Sequence, residues 1–332
     1  MTTSVVHALT VAARHAAHPR TRTAGPADGT DTASPCRACG RDETVLADRS
    51  DGVVVRHGPA VAKAHAPATD PAGHRARISV AAHPLLAGIL LPPLPAATPY
   101  VAGRPVTAWP YGTPVDPDRP DDAPWEAAAT LLARLHAVPP TALAPPAVPP
   151  MRGPLKAAQA LARMRAAGPH PATAAVERAW AGLPAWARGE APAPAAGGLL
   201  CHGDLHLGQL VRHPVPDGPW LLIDVDDLGL GDPAWDLARP AAWYAAGLLA
   251  PDEWQRFLGA YRAAGGPAVP ADGDPWLRLD VPARALTVQT AALAVAKSTE
   301  QGRELDEVEG MMIESCARIA TLPTQLTAGP AS

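Results

Sequence analysis

The chain has 332 residues, with 28 Lys+Arg against 32 Asp+Glu and a formal net charge of -4. That balance carries no electrostatic footprint for nucleic acid, and no apolar run is long enough to span a membrane. Four cysteines in so long a chain make no disulfide framework. Length allows one large domain or two smaller ones. The start lacks a basic n-region and a clean cleavage site, so the expectation is a cytoplasmic protein. Oligomeric state is left open.

In chain order, residues 1 to about 35 read as poorly ordered, because TRTAGPADGTDTASP is small, polar and rich in Pro and Gly. CRACGRDE follows, with Cys36 and Cys39 spaced C-x2-C. One such pair is half a zinc site, and His57, His65 or His74 would have to complete it; nothing in the spacing demands that. TVLADR, VVVRHG and AVAKAHA are short, valine-rich and separated by turn signals, which predicts an antiparallel meander. HRARISVAAHPLLAGILL is helix-like. VTAWPYGTPVDP reads as a strand that breaks into a linker at Pro110 and Gly112.

From Asp121 onward the chain is mostly helical. PWEAAATLLARLHAV has helical spacing, starting near Asp122 or Pro124. Two more helices are expected near Leu155–Ala167 and Ala172–Ala187, after a Pro-rich segment at 139–150. GLLCHGDLHLGQLVR is a strand, a tight loop and a second strand, and WLLIDVDD is another strand. DPAWDLARPAAWYAAGLL begins a helical stretch running to about Ala320. The fold class is α+β: a small β-rich lobe, a linker, and a larger helical lobe.

The chemistry is concentrated in LLCHGDLHLGQLVRH and LLIDVDDLGLGDPAWDLA. Buried carboxylates are costly unless paired, hydrogen-bonded or bound to metal. One carboxylate, Asp204, can accept a proton from a hydroxyl nucleophile. A second, Asp224, with the nearby amide oxygen of Gln209, can hold a divalent cation. That division suits phosphoryl transfer, where positioning and charge neutralisation do most of the catalysis. A cation for nucleotide phosphates is also needed. Only three lysines occur, Lys63, Lys156 and Lys297, and Lys63 closes the AVAK run of the third predicted strand. A compact ammonium suits a phosphate contact.

Together, the HGD-LHLGQ and IDVDD-LGLGDPAWDLA stretches resemble the two signature motifs of the aminoglycoside phosphotransferase family. The resemblance covers roughly residues 44 to 320, and LLARLHAVP is similar to that family's helix before the substrate region. It implies a two-lobed protein-kinase-like fold with a small antiparallel-β N-lobe and a large helical C-lobe. It also implies ATP and Mg2+ as cofactors, and phosphorylation of a small-molecule hydroxyl. The implied division is a flexible segment at 1–44, a nucleotide-binding lobe at 45–107, a hinge at 108–114 and a helical lobe at 115–325.

By the resemblance, Asp204 is the catalytic base, and Gln209 and Asp224 are the metal ligands. Lys63 holds the α/β-phosphates, Gly52 belongs to the turn over the phosphates, and Trp109 and Tyr111 lie in the hinge beside the adenine. Asp232 and Asp236 are expected to be structural, capping a helix start. His202 is expected to hold the loop and His206 to pack or to reach the substrate. Asp226 and Asp227 read as solvated, capping or metal-binding.

This chain departs from the family pattern in three places. Gln209 stands where asparagine is usual, as in maltokinase-like members. The small-lobe helix offers no glutamate to Lys63, Asp70 being the nearest upstream acid. No G-x-G-x-x-G loop is present. The acceptor classes implied are an aminoglycoside-type antibiotic, a sugar or an amino alcohol. For an amine, acids among Asp252, Glu253, Asp280, Glu300, Glu304, Asp306 and Glu307 would have to line the pocket. The alternatives are a pseudokinase that binds nucleotide as a scaffold, and a kinase of a peptide hydroxyl.

Overall fold

Three valine- and alanine-rich strands, β1 (Glu43–Asp48), β2 (Val53–His57) and β3 (Ala60–Ala64), open the ordered β structure of the computed structural model. The structure describes residues 2–18, 40, 43–49, 52–96, 98–143, 147–193 and 198–323. Cys36 and Cys39 lie outside the described residues. With β4 (Tyr100–Val101) and β5 (Arg104–Pro110) the meander forms an antiparallel sheet of order β1-β2-β3-β5-β4.

The period-2 pattern gives this sheet two different faces. Val53, Val55, Ala62, Ala64 and Val106 point to one face and are buried. Lys63 pairs across the ladder with Val54 and Thr107, which places it on the other face. The first face is covered by α1 (Thr2–Ala17), through Val5, Leu9, Ala12 and Ala13. This corrects the expectation of disorder over residues 1–35 for the part described. The apolar positions recur at helical spacing, and the sheet face they cover supplies the burial that an isolated helix lacks. Arg14 and His57 both pair with Glu43 to fix the end of α1.

The helix α2 (Pro71–Ala81) starts on Asp70, whose carboxylate accepts from the N–H groups of Ala72 and Gly73. Asp70 is therefore the helix cap. The expected linker at 108–114 is largely strand: β5 runs to Pro110, and β6 (Thr113–Pro114) pairs with β8 (Leu210–Arg212), which pairs with β9 (Trp220–Leu222). Among the described residues, those within 1–115 and 210–223 make one compact unit, and those within 116–209 and 224–332 make the other. The β8–β9 hairpin thus belongs to the first unit, whereas the sequence placed it in the helical lobe.

The second unit is helical. It contains α3 (Trp125–His136), α4 (Gly153–Ala167), α5 (Thr173–Ala181), α6 (Ala234–Ala246), α7 (Pro251–Ala263), α8 (Trp276–Gln301) and α9 (Glu307–Ile319). The long α8 is apolar around most of its circumference and packs against α4, α5, α6 and α9, as a central helix must. Two short strands, β7 (Leu199–Cys201) and β10 (Gly229–Gly231), pair antiparallel. No helix among the described residues is long and apolar enough to cross a membrane.

Candidate active site

The β7–β10 ladder brings the two sequence motifs together. Asp204 follows β7, and the acidic run Asp224–Asp227 precedes β10, with Cys201 opposite Gly229. Segment 149–151 lies on the other edge of β10: Leu230 donates to Pro149 O at 2.8 Å and Met151 donates to Leu230 O at 3.0 Å. A Cβ on Gly229 would stand 2.4 Å from Pro149 O, so glycine is required for this approach. The chain then enters α4, which delivers Arg152 and Lys156 to the acidic run.

Lys156 Nζ lies 2.8 Å from Asp204 and 2.7 Å from Asp227. Arg239 of α6 donates to the other Asp204 oxygen at 2.6 Å and to Leu205 O at 3.0 Å. Arg152 lies 3.3 Å from Asp227. Burial alone would raise the Asp204 pKa, but the charges of Lys156 and Arg239 outweigh it and hold the carboxyl well below the usual range. For Lys156, burial opposes the charge, yet Asp227 and Asp204 push its pKa up overall. Asp227 is thus neither solvated nor a cap; it is a buried member of an ion network.

The loop carrying Asp204 is pinned from below. Buried Asp236 accepts from the backbone N–H groups of His202 at 2.6 Å and Gly203 at 2.7 Å, and pairs with His136 Nε2 at 2.9 Å. His136 Nδ1 meets Tyr261 Oη at 2.7 Å, and that oxygen accepts from Ala268 N at 3.0 Å. The donors run consistently from Ala268 through Tyr261 and His136 to an ionised Asp236. Burial would raise the Asp236 pKa, but the His136 hydrogen bond and the backbone donors lower it. The sequence expected a helix cap here; Asp236 is structural, but what it holds is the loop carrying Asp204. Asp232 stands one residue before the N-cap position, which Pro233 occupies, and accepts from Ala234 N at 3.0 Å. Gly203 has φ +85°, and a Cβ there would lie 2.3 Å from Asp227 O. Only glycine allows the two loops to pass.

Gln209 is buried at the end of a short 3-10 turn, Leu207–Gln209. Asp224 stands in the left-handed region, φ 63° and ψ 74°, before the turn Val225–Asp227. Such a conformation in a non-glycine residue is a constraint that surrounding structure must hold. Both Asp204 and Asp224 act electrostatically on His206. Burial first, then Arg239, lower the His206 pKa to about 4, and its Nδ1 accepts from Gly208 N at 3.1 Å. His206 also lines a pocket with Trp125, Leu205, Leu207, Arg239 and Trp243.

In the first unit, Lys63, Thr107 and Trp109 share the sheet face opposite α1. A Cβ on Gly52 would lie 3.9 Å from Lys63 Cε, so the lysine stem runs beside the β1–β2 turn. Trp109 Nε1 donates to Thr107 Oγ1 at 2.9 Å, and His65 Nε2 meets the same oxygen at 2.8 Å. Arg56 places its guanidinium 3.4 Å above the Tyr111 ring centroid. The Tyr111 backbone is engaged on both sides, donating to Pro59 O at 2.7 Å and accepting from His213 Nδ1 at 3.1 Å. The missing α2 glutamate has no acidic substitute on that helix; His74 and Arg77 are buried there instead, with His74 packed edge-on to His65 at 4.3 Å.

The sequence singled out neither Lys156 nor Arg239 as a site residue. The scarcity of lysine was a usable signal for Lys156. Arg239, directly after the GDPAWDLA run, carried none in a chain this rich in arginine.

A small antiparallel-β unit and a larger helical unit are the parts of a protein-kinase-like fold. Residues 45–279 match the family model described as the phosphotransferase enzyme family, and the chain belongs to that family. It is a phosphotransferase enzyme. A choline/ethanolamine kinase family protein from Mesorhizobium loti is similar in structure, with 17% identity, 97% of this chain and 96% of that one covered, and a TM-score of 0.57. A choline kinase from Streptococcus pneumoniae has 14% identity, coverage of 84% and 93%, and a TM-score of 0.56. A thermostable mutant of an aminoglycoside phosphotransferase has 14% identity, coverage of 84% and 94%, and a TM-score of 0.57. No curated protein matches the chain.

Proposed function

We propose that the protein transfers the γ-phosphoryl group of ATP to a hydroxyl of a small molecule, with Asp204 as the residue that meets the acceptor. The observation that supports this most is the state of Asp204: ionised, carried on a loop pinned by Asp236, and flanked by Lys156 and Arg239.

Such a carboxylate accepts a hydrogen bond from the acceptor hydroxyl and orients its oxygen for in-line attack. Held so far toward the ionised form, it is a weak base. The proton therefore moves late, when the new O–P bond is forming and the bond to ADP oxygen is already breaking, as a loose transition state permits. Asp204 takes that proton and returns it to solvent. Lys156 and Arg239 supply positive charge beside the reacting oxygen, where phosphoryl charge develops. Lys63 contacts the nucleotide phosphates beneath the Gly52 turn, and Trp109 and Tyr111 flank the base. The donor set of Asp224 and Gln209, one carboxylate and one amide oxygen, suits Mg2+, which shares its coordination with phosphates and water. When bound, Mg2+ neutralises phosphate charge.

Calorimetric titration with ATP, with and without Mg2+, tests this reading on wild type and on Asp224→Ala. Metal-dependent binding that disappears in the variant is expected. A folded wild type that binds no nucleotide would sink the reading and leave a scaffold role.

A further inference from the structure

Two histidines of the first unit meet on the sheet face turned away from Lys63. His57 closes β2 on the same face as Val53 and Val55, which α1 covers. His18 directly follows α1, its N–H donating to Arg14 O at 3.0 Å. The two Nε2 atoms stand 3.4 Å apart, with the rings at 64° and their centroids 5.5 Å apart. His57 is fully buried and His18 half-buried, so solvent reaches the pair from the His18 side.

This spacing is long for a hydrogen bond between two nitrogens. It is the spacing of two ligands on one tetrahedral ion. Zinc–nitrogen bonds of about 2.0–2.1 Å at the tetrahedral angle set the two nitrogens about 3.4 Å apart. The outer contacts agree. His57 Nδ1 lies 3.1 Å from Glu43 Oε1, and Arg14 donates to the same oxygen. An Nδ1–H given to that carboxylate leaves the Nε2 lone pair facing His18. A carboxylate behind the ring and a metal in front is how ligating imidazoles are oriented. Burial lowers the His57 pKa against the pull of Glu43, which keeps the ring toward the neutral form that binds metal. Between the two histidines the sequence carries Cys36 and Cys39 in C-x2-C, the spacing of half a zinc site; both lie outside the described residues.

We propose that His18 and His57 are two ligands of a structural Zn2+ site that staples the C-terminal end of α1 to β2. Zinc has four positions to fill, and the two imidazoles fill two of them. An ion held by both elements binds the folded unit in preference to the unfolded chain, so it adds to the hold of α1 on the sheet.

The test is zinc content and affinity of the untagged full chain, by elemental analysis after dialysis and by competition with a chromophoric chelator. One zinc per chain is expected. His18→Ala and His57→Ala should each weaken binding by about 100-fold or more, and Glu43→Gln by about tenfold. His15→Ala, at an exposed position on α1, should leave binding unchanged. Chelation should lower the Tm of wild type by several degrees and leave that of His18→Ala unmoved. Should His57→Ala fail to fold, His18→Ala carries the test, since His18 lies beyond the helix end. A chain that binds no zinc, or affinity within about twofold of wild type in His18→Ala, would overturn the inference. So would zinc that is lost in a Cys36→Ser, Cys39→Ser double variant yet kept by both histidine variants, because the ion would then sit on the thiols alone.

Discussion

Asp204 carries cations on both carboxylate oxygens, so its replacement separates charge from shape. Asp204→Asn is expected to lower kcat by about 100-fold or more, with ATP affinity within about twofold, as measured by ADP release and calorimetry. Lys156→Met removes the shared cation from Asp204 and Asp227 at once. It should lower kcat and also cost about 1–3 kcal/mol in urea denaturation, the buried-pair cost being reduced by partial exposure. His206, with its pKa near 4, is uncharged above about pH 5. The pH profile of kcat/KM should therefore show no step at pH 6–7 that vanishes in His206→Gln; such a step would contradict the buried, neutral imidazole. The sequence brought Asp204 and Asp224 forward as candidates because an acid beside apolar strands has few bland explanations, and the structure sets the two loops that carry them beside the β7–β10 ladder. The role of Asp236 was not legible, since its partners His202, Gly203 and His136 lie 33 to 100 positions away.

At the scale of elements, the loop carrying Asp204 is held by the chain of contacts from α7 through α3 to α6. Asp236→Asn should destabilise the protein by about 3 kcal/mol at neutral pH, because a buried charge with matched donors is replaced by an amide that must present N–H to one of them. The Asp236 pKa is depressed by folding, so its contribution is complete above the unfolded carboxyl value and is lost as pH falls through the folded one. The stability gap between wild type and Asp236→Asn should thus close on acidification below about pH 4. The meander and most helices were readable from periodicity. Strand β10 was not, since Gly-Leu-Gly has no strand propensity and forms only because β7 and segment 149–151 flank it. Helix α1 was missed for a related reason: its apolar stripe is narrow, and the sheet face that it covers comes later in the chain.

At the scale of the whole molecule, α1 replaces solvent over one face of the first sheet. Leu9→Ala, at a fully buried position, should cost about 2–5 kcal/mol by thermal or chemical denaturation. The unit boundaries were the least legible feature. A hairpin inserted between Gln209 and Asp224 packs with the first unit, and nothing local distinguishes its strands from those of the second. The Lys156 bridge has a practical consequence for labelling. Lys297 is exposed, whereas Lys156 keeps its proton between two carboxylates and offers little free amine. An acylating reagent applied to the native chain should mark Lys297 early and Lys156 late. Mass spectrometry of the Lys156 peptide then becomes a clock for the opening of α4, readable without any knowledge of the substrate.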